Sequence, residues 1–346
     1  MGYELFRELV SPGLSPGYKN IVIIPDDILH LLPFETLIIH PEERDWLIKE
    51  YSIAYIPSFS SLRELAQRKH NGRKPTKDIL VFGDPFYGPT EEDSIGSNPQ
   101  DAFQDFYTNA ALKFSRLKYS SFEINKIISL FKPAKRESFR RESASEDQLK
   151  AQDLADYKIL HFATHGLIDD NKPARSSIIL SLDEDPTEDG LLQMREVFNL
   201  KMNSDLVTLS ACQTGLGRFI RGEGIEGLSR AFFYAGASSV LMSLWAVNDE
   251  ATYQLMERFY YHLRSSETLS DALQDAKVEL IESGVLSHPY YWAGFILTGR
   301  TDKAVFPRKS NLWLFWASPL CAGLMIIIAV KRRRKKNHHH VDQSAY

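Results

Sequence analysis

Apolar residues along this chain fall into short unbroken runs alternating with stretches of helical spacing. Ile21 to Ile24 is a continuous apolar run that stops at Pro25-Asp26-Asp27, which predicts a buried strand and then a turn. Tyr51 to Ile56 and Ile79 to Phe82 predict further strands, with a helix over Ser61 to Arg68 between them. Asp84 to Asp105 is rich in Gly, Pro, Asp, Glu, Asn and Ser, so a long exposed loop is expected there. Phe122, Ile127, Ile128 and Phe131 share one helical face, and Ser143 with Glu146 has the spacing of a capping box.

From Tyr157 onward the alternation is regular. Ile159–Ala163, Ile178–Leu182, Leu206–Leu209 and Ser239–Leu244 each predict a buried strand. Helices are predicted over Gly224–Tyr234, Ala251–Leu263 and Ser270–Ile281, the last with Thr268 and Asp271 as a capping box. Strands alternating with helices imply βαβ units, hence an α/β fold with a mostly parallel sheet and helices on both faces. No fixed-period repeat marks a solenoid.

Asn311 to Val330 departs from this pattern. Its twenty residues carry no charge. At 1.5 Å per helical residue they span about 30 Å, the thickness of a bilayer core. Trp313 and Trp316 lie near one end and six basic residues, Lys331 to Lys336, follow the other. This segment is therefore expected to be one transmembrane helix contacting membrane lipid; the competing reading is a buried core helix. The basic tail favours a cytoplasmic tail. No signal peptide is visible at the N-terminus. The side of the membrane that holds the rest of the chain stays open between an exported and a tail-anchored arrangement.

Composition changes this picture in one respect. The 346 residues are 43% hydrophobic and 25% charged, as in ordinary globular proteins. The net charge is -4 although the tail alone holds six positive residues, so the body is acidic and lacks the basic footprint that nucleic acid requires. Two cysteines, Cys212 and Cys321, lie in unlike surroundings and indicate no disulfide framework.

Two strand ends carry candidate chemistry. One reads Leu160-His161-Phe162-Ala163-Thr164-His165-Gly166, the other Leu209-Ser210-Ala211-Cys212-Gln213-Thr214-Gly215. Open parallel sheets bind ligands beyond the carboxyl ends of their strands. His165 and Cys212 both fall there, 47 positions apart, which leaves room for a crossover and a hairpin. A thiol becomes a strong nucleophile as a thiolate, and an imidazole can take its proton and later return it to a leaving amine. Gly166 leaves its backbone approachable, while Gly215 and Gly217 let the chain turn away. Taken singly, a cysteine at a strand end is more often a small buried hydrophobe and a strand histidine a packed, hydrogen-bonded one. His161 lacks the following glycine and reads as structural or supporting.

The segments HFATHG, LSACQTG, RGEGIEGLSRAFFYAGASSVLMSLWAVND and WAGFILTG, with the earlier IIPDDILHLLPFETL and LVFGDP, resemble the CHAT family of caspase-like, separase-related peptidases. That family is common in bacteria behind tetratricopeptide repeats. The resemblance spans about Tyr3 to Gly299, and the spacing of 47 is near the ~50 residues between the caspase His and Cys. It implies a caspase-like fold and a catalytic His165/Cys212 dyad. It also implies an oxyanion site from the backbone N–H groups of Gly166 and Cys212, and cleavage of a protein substrate without metal or organic cofactor. The implied organisation is an N-terminal, pseudo-peptidase-like half over residues 1–150 and a catalytic half over 151–300. A linker at 301–310, the membrane helix at 311–330 and a basic tail at 331–346 follow. A tetratricopeptide-repeat region or partner is the implied regulator. Relatives place an acid after the strand Ser239–Leu244 to line a pocket for a basic residue before the scissile bond, which points to Asp249. Asp249 equally fits an ordinary acid at a helix N-terminus. Glu223 could order the site by hydrogen bonding.

Two rival readings remain in view. One is a caspase-like signalling or scaffold module that cuts nothing. The other, remote, is a dinucleotide-binding domain, since Gly222 to Gly227 matches G-x-G-x-x-G with Asp249 22 positions on. Eleven residues separate that match from the preceding strand end at Ser210, so the tight strand-to-helix turn is missing. No H-E-x-x-H or paired cysteine cluster suggests a metal hydrolase, and His338 to His340 form a short tail run.

Overall fold

The computed structural model describes residues 1–43, 45–67, 74–88, 114–169, 172–181, 188–210, 212–213, 223–266 and 268–306. At Leu62, Ala66, Cys212, Gln213 and residues 223–226 the description is of the backbone. The expected membrane helix, the basic tail, most of the expected loop at 84–105, Gly215, Gly217 and Gly222 lie outside the described residues. Among the described residues no helix is long and apolar enough to cross a membrane.

The strands are β1 (Asn20–Ile23), β2 (Ile38–His40), β3 (Asp45–Trp46), β4 (Ser52–Tyr55), β5 (Lys77–Pro85), β6 (Arg136–Arg141) and β7 (Tyr157–Ala163). They continue with β8 (His165–Leu167), β9 (Ser177–Ile179), β10 (Leu191–Gln193), β11 (Leu206–Leu209), β12 (Cys212–Gln213), β13 (Ser239–Ser243) and β14 (Phe295–Gly299). The α-helices are α1 (Gly2–Leu9), α2 (Phe59–Gln67), α3 (Ser120–Ser129), α4 (Glu146–Lys150) and α5 (Met194–Val197). They end with α6 (Glu223–Ala235), α7 (Asp249–Leu263), α8 (Leu269–Glu282) and α9 (Pro289–Trp292).

The main sheet has the order β1-β4-β14-β13-β11-β7-β5-β6. It is mostly parallel, and its single reversal lies between β13 and β14. Strands from 1–150 form both edges and strands from 151–300 the middle, so the two sequence halves interleave in one sheet. A smaller sheet, β10-β9-β8-β12, continues from its carboxyl edge.

Helices cover both faces, as the alternation implied. Leu80, Phe82, Leu160, Phe162, Val207, Val240 and Met242 pack with α6 residues Leu228, Ala231 and Phe232. Ile79, Val81, Ile159, Leu206 and Leu241 face Ile124 and Ile127 of α3, Leu255 and Phe259 of α7, and Leu273 of α8. Central strands sandwiched this way are buried on both faces, which is why β5, β7, β11 and β13 are mostly apolar, with buried polar exceptions such as His161 of β7 and Thr208 of β11. Gly83 sits where a Cβ would lie 2.7 Å from both the Ala163 carbonyl oxygen and Ile124 Cδ1, so the glycine lets β5, β7 and α3 close together.

Several expectations are corrected. β1 is an edge strand rather than a buried one, and Val22 is 51% exposed. Asp84 and Pro85 end β5 instead of opening a loop, and Asp84 is buried. Helix α4 is capped by Ser145, whose Oγ accepts the Gln148 N–H, so the box proposed on Ser143 falls two residues early. Ser143 Oγ bonds the Arg140 carbonyl in a turn. Residues Ser177–Ile179 form β9 of the smaller, locally antiparallel sheet.

Candidate active site

Strands β7 and β11 are parallel neighbours, with Phe162 opposite Leu209. After Thr164 the first chain enters the smaller sheet as β8, and after residue 211 the second enters it as β12. There the two pair again in parallel, with Cys212 opposite His165 and Gln213 opposite Gly166. The register thus makes His165 and Cys212 backbone partners on adjacent strands, a separation of about 4.8 Å in an ordinary sheet. The hairpin expected between them is β9 and β10.

His165 is 5% exposed and held on every side the described residues reach. Its Nε2 lies 2.7 Å from the Ser115 carbonyl oxygen. A carbonyl only accepts, so Nε2 carries the proton and Nδ1 keeps its lone pair. Nδ1 is buried and has no hydrogen-bond partner among the described residues. The rings of Tyr87 and Phe114 flank the imidazole, with centroids 5.2 and 5.4 Å away. Tyr87 Oη accepts the His165 backbone N–H at 3.2 Å and meets Thr164 Oγ1 at 2.7 Å; that hydroxyl donates to the Ile179 carbonyl. Burial lowers the His165 pKa, and the Ser115 carbonyl offsets this only in part. Burial thus favours the neutral form of the ring, and in that form the base is Nδ1.

The carbonyl at Ser115 belongs to a segment that sequence reading left unassigned. It is tied down next to the histidine. The Arg116 guanidinium meets Asp84 in a two-point pair at 2.8 and 2.8 Å. Asp84 donates its N–H to Ser120 Oγ at 2.7 Å, and that hydroxyl donates to the Ala163 carbonyl at 3.1 Å. The only sequence signal was Asp84 inside the LVFGDP segment.

Asp249 opens α7 behind its cap Asn248, whose Oδ1 accepts the Ala251 N–H at 3.1 Å. Its Oδ2 accepts the Tyr119 N–H at 2.9 Å. Burial raises its pKa; the Tyr119 N–H works against this and nearby Glu123 adds to it. One carboxylate oxygen is thus engaged with the chain's own backbone. Glu223 is the first residue of α6. Gly166 is buried in β8, between β9 and β12.

His161 occupies the core on the α7 side of β7. Its Nδ1 is 3.0 Å from Tyr260 Oη, which is 2.9 Å from Thr208 Oγ1. Its Nε2 is 3.0 Å from Glu123 Oε1, but neither atom has a well-directed hydrogen bond. These contacts belong to packing between strand and helix. The dinucleotide outline loses its context, since β12 intervenes between β11 and α6. Gly227 lies within α6, where a Cβ would come 2.9 Å from Met194 Sδ, so close helix packing accounts for it.

Among the described residues one carboxylate cluster has metal-like proximity: Glu146, Glu188 and Glu196. Lys150 Nζ lies 2.8, 2.7 and 3.1 Å from them. The ammonium already fills the position a cation would take. Burial, first of all, pushes Glu146 up to about 7.

Two mammalian proteins resemble the chain in sequence. Tetratricopeptide repeat protein 28 of Mus musculus is 35% identical over 122 residues, covering 35% of this chain and 5% of that protein. The Homo sapiens protein of the same name is 25% identical over 316 residues, covering 86% of this chain and 12% of that one. The chain thus spans a small fraction of either relative. Among solved structures, the Saccharomyces cerevisiae separase–securin complex aligns at TM-score 0.46 and 15% identity, over 80% of this chain and 15% of that one. The Arg-specific cysteine proteinase gingipain R aligns at TM-score 0.44 and 9% identity, over 75% and 56%. Residues 1–300 match the family described as CHAT domain, and the chain belongs to that family.

Proposed function

We propose that the chain is a cysteine-type endopeptidase acting on a protein substrate through His165 and Cys212. The observation that carries this reading is the β8–β12 register, which pairs Cys212 with His165, joined to a histidine whose proton is held on Nε2. In the proposed cycle His165 Nδ1 takes the Cys212 thiol proton, and the thiolate attacks the scissile carbonyl carbon. The backbone N–H groups of Gly166 and Cys212 stabilise the oxyanion. Collapse breaks the C–N bond as Nδ1–H protonates the departing amine. Water then hydrolyses the thioester, returning the thiol. No metal or organic cofactor enters. Asp249 retains one oxygen outside its Tyr119 contact for a basic side chain before the scissile bond, and Glu223 is proposed to order the site by hydrogen bonding.

The names of the curated relatives support a tetratricopeptide-repeat regulator, in the same chain or a partner. The uncharged segment 311–330 supports a membrane anchor with the basic tail on the cytoplasmic side. Comparison of cleavage products between cells carrying the native protein and Cys212→Ala tests the central claim, alongside labelling with a thiol-directed peptide probe. Cysteine-dependent fragments and labelling of Cys212 are expected. Identical product profiles and no labelling under any activating condition would establish the scaffold reading instead. Alkaline extraction of membranes tests the anchor: release of the full chain into the soluble fraction refutes it.

A further inference from the structure

Buried Asp84 is a strange residue to find at the end of a central strand. Its φ is +47°, a left-handed conformation that few side chains adopt, and it is 4% exposed. A buried carboxylate persists where its charge is matched and its oxygens are bonded. Asp84 meets both conditions, and its hydrogen bonds go to a single segment that holds Arg116 and Ser120. Oδ1 accepts from Arg116 Nε and Oδ2 from Arg116 Nη2, each at 2.8 Å, a planar two-point match specific to guanidinium. Arg141 Nη1 lies 3.5 Å from Oδ1 on another side. The Asp84 N–H is bonded to Ser120 Oγ, and Ser120 Oγ to the last carbonyl of β7.

The segment between these two anchors is short. Arg116 and Ser120 are pinned to Asp84, and Ser115, adjacent to Arg116, presents its carbonyl to His165 Nε2 at 2.7 Å. Nothing else among the described residues dictates which ring nitrogen carries the proton. If Ser115 withdrew, both tautomers of a neutral imidazole would be accessible, and the form protonated at Nδ1 cannot take a proton from a thiol at that atom.

We propose that Asp84 and Arg116 are positioning residues: their ion pair holds the Ser115 carbonyl on His165 Nε2 and so keeps Nδ1 available as the base. The proposal rests on the peptidase reading for its catalytic meaning, whereas its structural content can be read without any substrate. Asp84 acts through Arg116, and Arg116 through the neighbouring carbonyl. The left-handed turn at Asp84 is what aims both its carboxylate and its N–H at the same segment.

The test uses the full chain labelled with ¹⁵N-histidine. Three variants are compared with the native protein: Asp84→Asn, Arg116→Gln and Arg116→Lys. Arg116 is 52% exposed, so its replacement leaves the core intact even if the Asp84 variant fails to fold. In the native protein the His165 signals should show a protonated Nε2 and an unprotonated Nδ1. In Arg116→Gln the two nitrogen shifts should move toward each other as the tautomers mix. Arg116→Lys keeps charge without the two-point match and should restore the native pattern only in part. Against a cleavable peptide, kcat should fall by about 10- to 100-fold with KM little changed. Native tautomer signals in a folded Arg116→Gln protein would overturn the proposal. If the native protein cleaves nothing, the peptidase reading fails, and the tautomer shift still decides the role of the ion pair.

Discussion

Removing the ammonium of Lys277 should be among the most damaging conservative changes in the molecule. Lys277 on α8 is wholly buried beside Glu35, with Nζ 2.9 Å from Glu35 Oε1 and 2.6 Å from the Phe295 carbonyl. Glu35 Oε2 accepts from Tyr55 Oη at 2.5 Å, and that hydroxyl accepts the Phe34 N–H at 2.9 Å. Burial lowers the Lys277 pKa and raises that of Tyr55, the mark of a charge pair taken out of water. Lys277→Met keeps the volume of the stem, so the cavity contribution is small. It leaves the Glu35 carboxylate buried with a neutral phenol as its remaining partner, and it strips the Phe295 carbonyl of its donor. Breaking a buried pair from one side costs about 3–5 kcal/mol. At roughly 2 °C per kcal/mol for a fold of this size, the melting temperature should drop by about 6–10 °C. Glu35→Gln in the same chain removes the stranded charge while keeping an acceptor for Tyr55. The double variant should therefore recover about 1–3 kcal/mol relative to the sum of the single changes. Chemical denaturation of the four proteins measures this directly. A Lys277→Met protein as stable as the native one, or strict additivity in the double variant, would refute the reasoning.

Other predictions follow from the buried polar groups and the closest contacts. Burial raises Glu146 to about 7, so the stability this carboxyl contributes is full below about 4.5 and is lost as pH rises through about 7. Glu146→Gln should match the native protein at pH 4 and exceed it by about 1–3 kcal/mol at pH 8; a loss at pH 8 refutes this. Tyr260→Phe removes the hydroxyl between His161 and Thr208 and should destabilise by about 1–2 kcal/mol in urea unfolding, with no change counting against the network. Gly83→Ala forces a methyl group against Ala163 and Ile124 and should cost about 1–3 kcal/mol, seen as a lower melting temperature.

The central strands were legible because burial on both faces leaves short, mostly apolar runs, broken by His161 in β7 and Thr208 in β11. Leu206–Leu209 coincides with β11 residue for residue, and β7 extends the expected Ile159–Ala163 only toward Tyr157. Thr268 was recognisable because a cap acts within three residues, and its Oγ1 does accept the Asp271 N–H at 3.0 Å. What stayed hidden depends on distant partners. Asp84 looked like the start of a polar loop, since nothing local announces that Arg116 will neutralise it 32 residues on. Glu35 sat in a motif without a role because Lys277 lies 242 residues away. Phe122 took the expected helical place yet is 58% exposed, where its ring meets Tyr119 and Tyr253 at 6.2 and 6.5 Å. β8 and β12 are three and two residues long, too short for any periodicity to register. The His165–Cys212 pairing was foreseeable only as two adjacent strand ends, not as a second ladder.

That second ladder has a consequence for how the chain can vary. A register counts residues, and the count from β7 to β8, or from β11 to β12, admits no slack. Deleting one residue between Leu209 and Cys212 would set Gln213, not Cys212, across from His165. Insertions in the connections beyond these links displace nothing in the pairing. The chain therefore carries two short rulers, at 164 and at 210–211, whose lengths are fixed by arithmetic while the surrounding surface is free to lengthen, shorten and diversify.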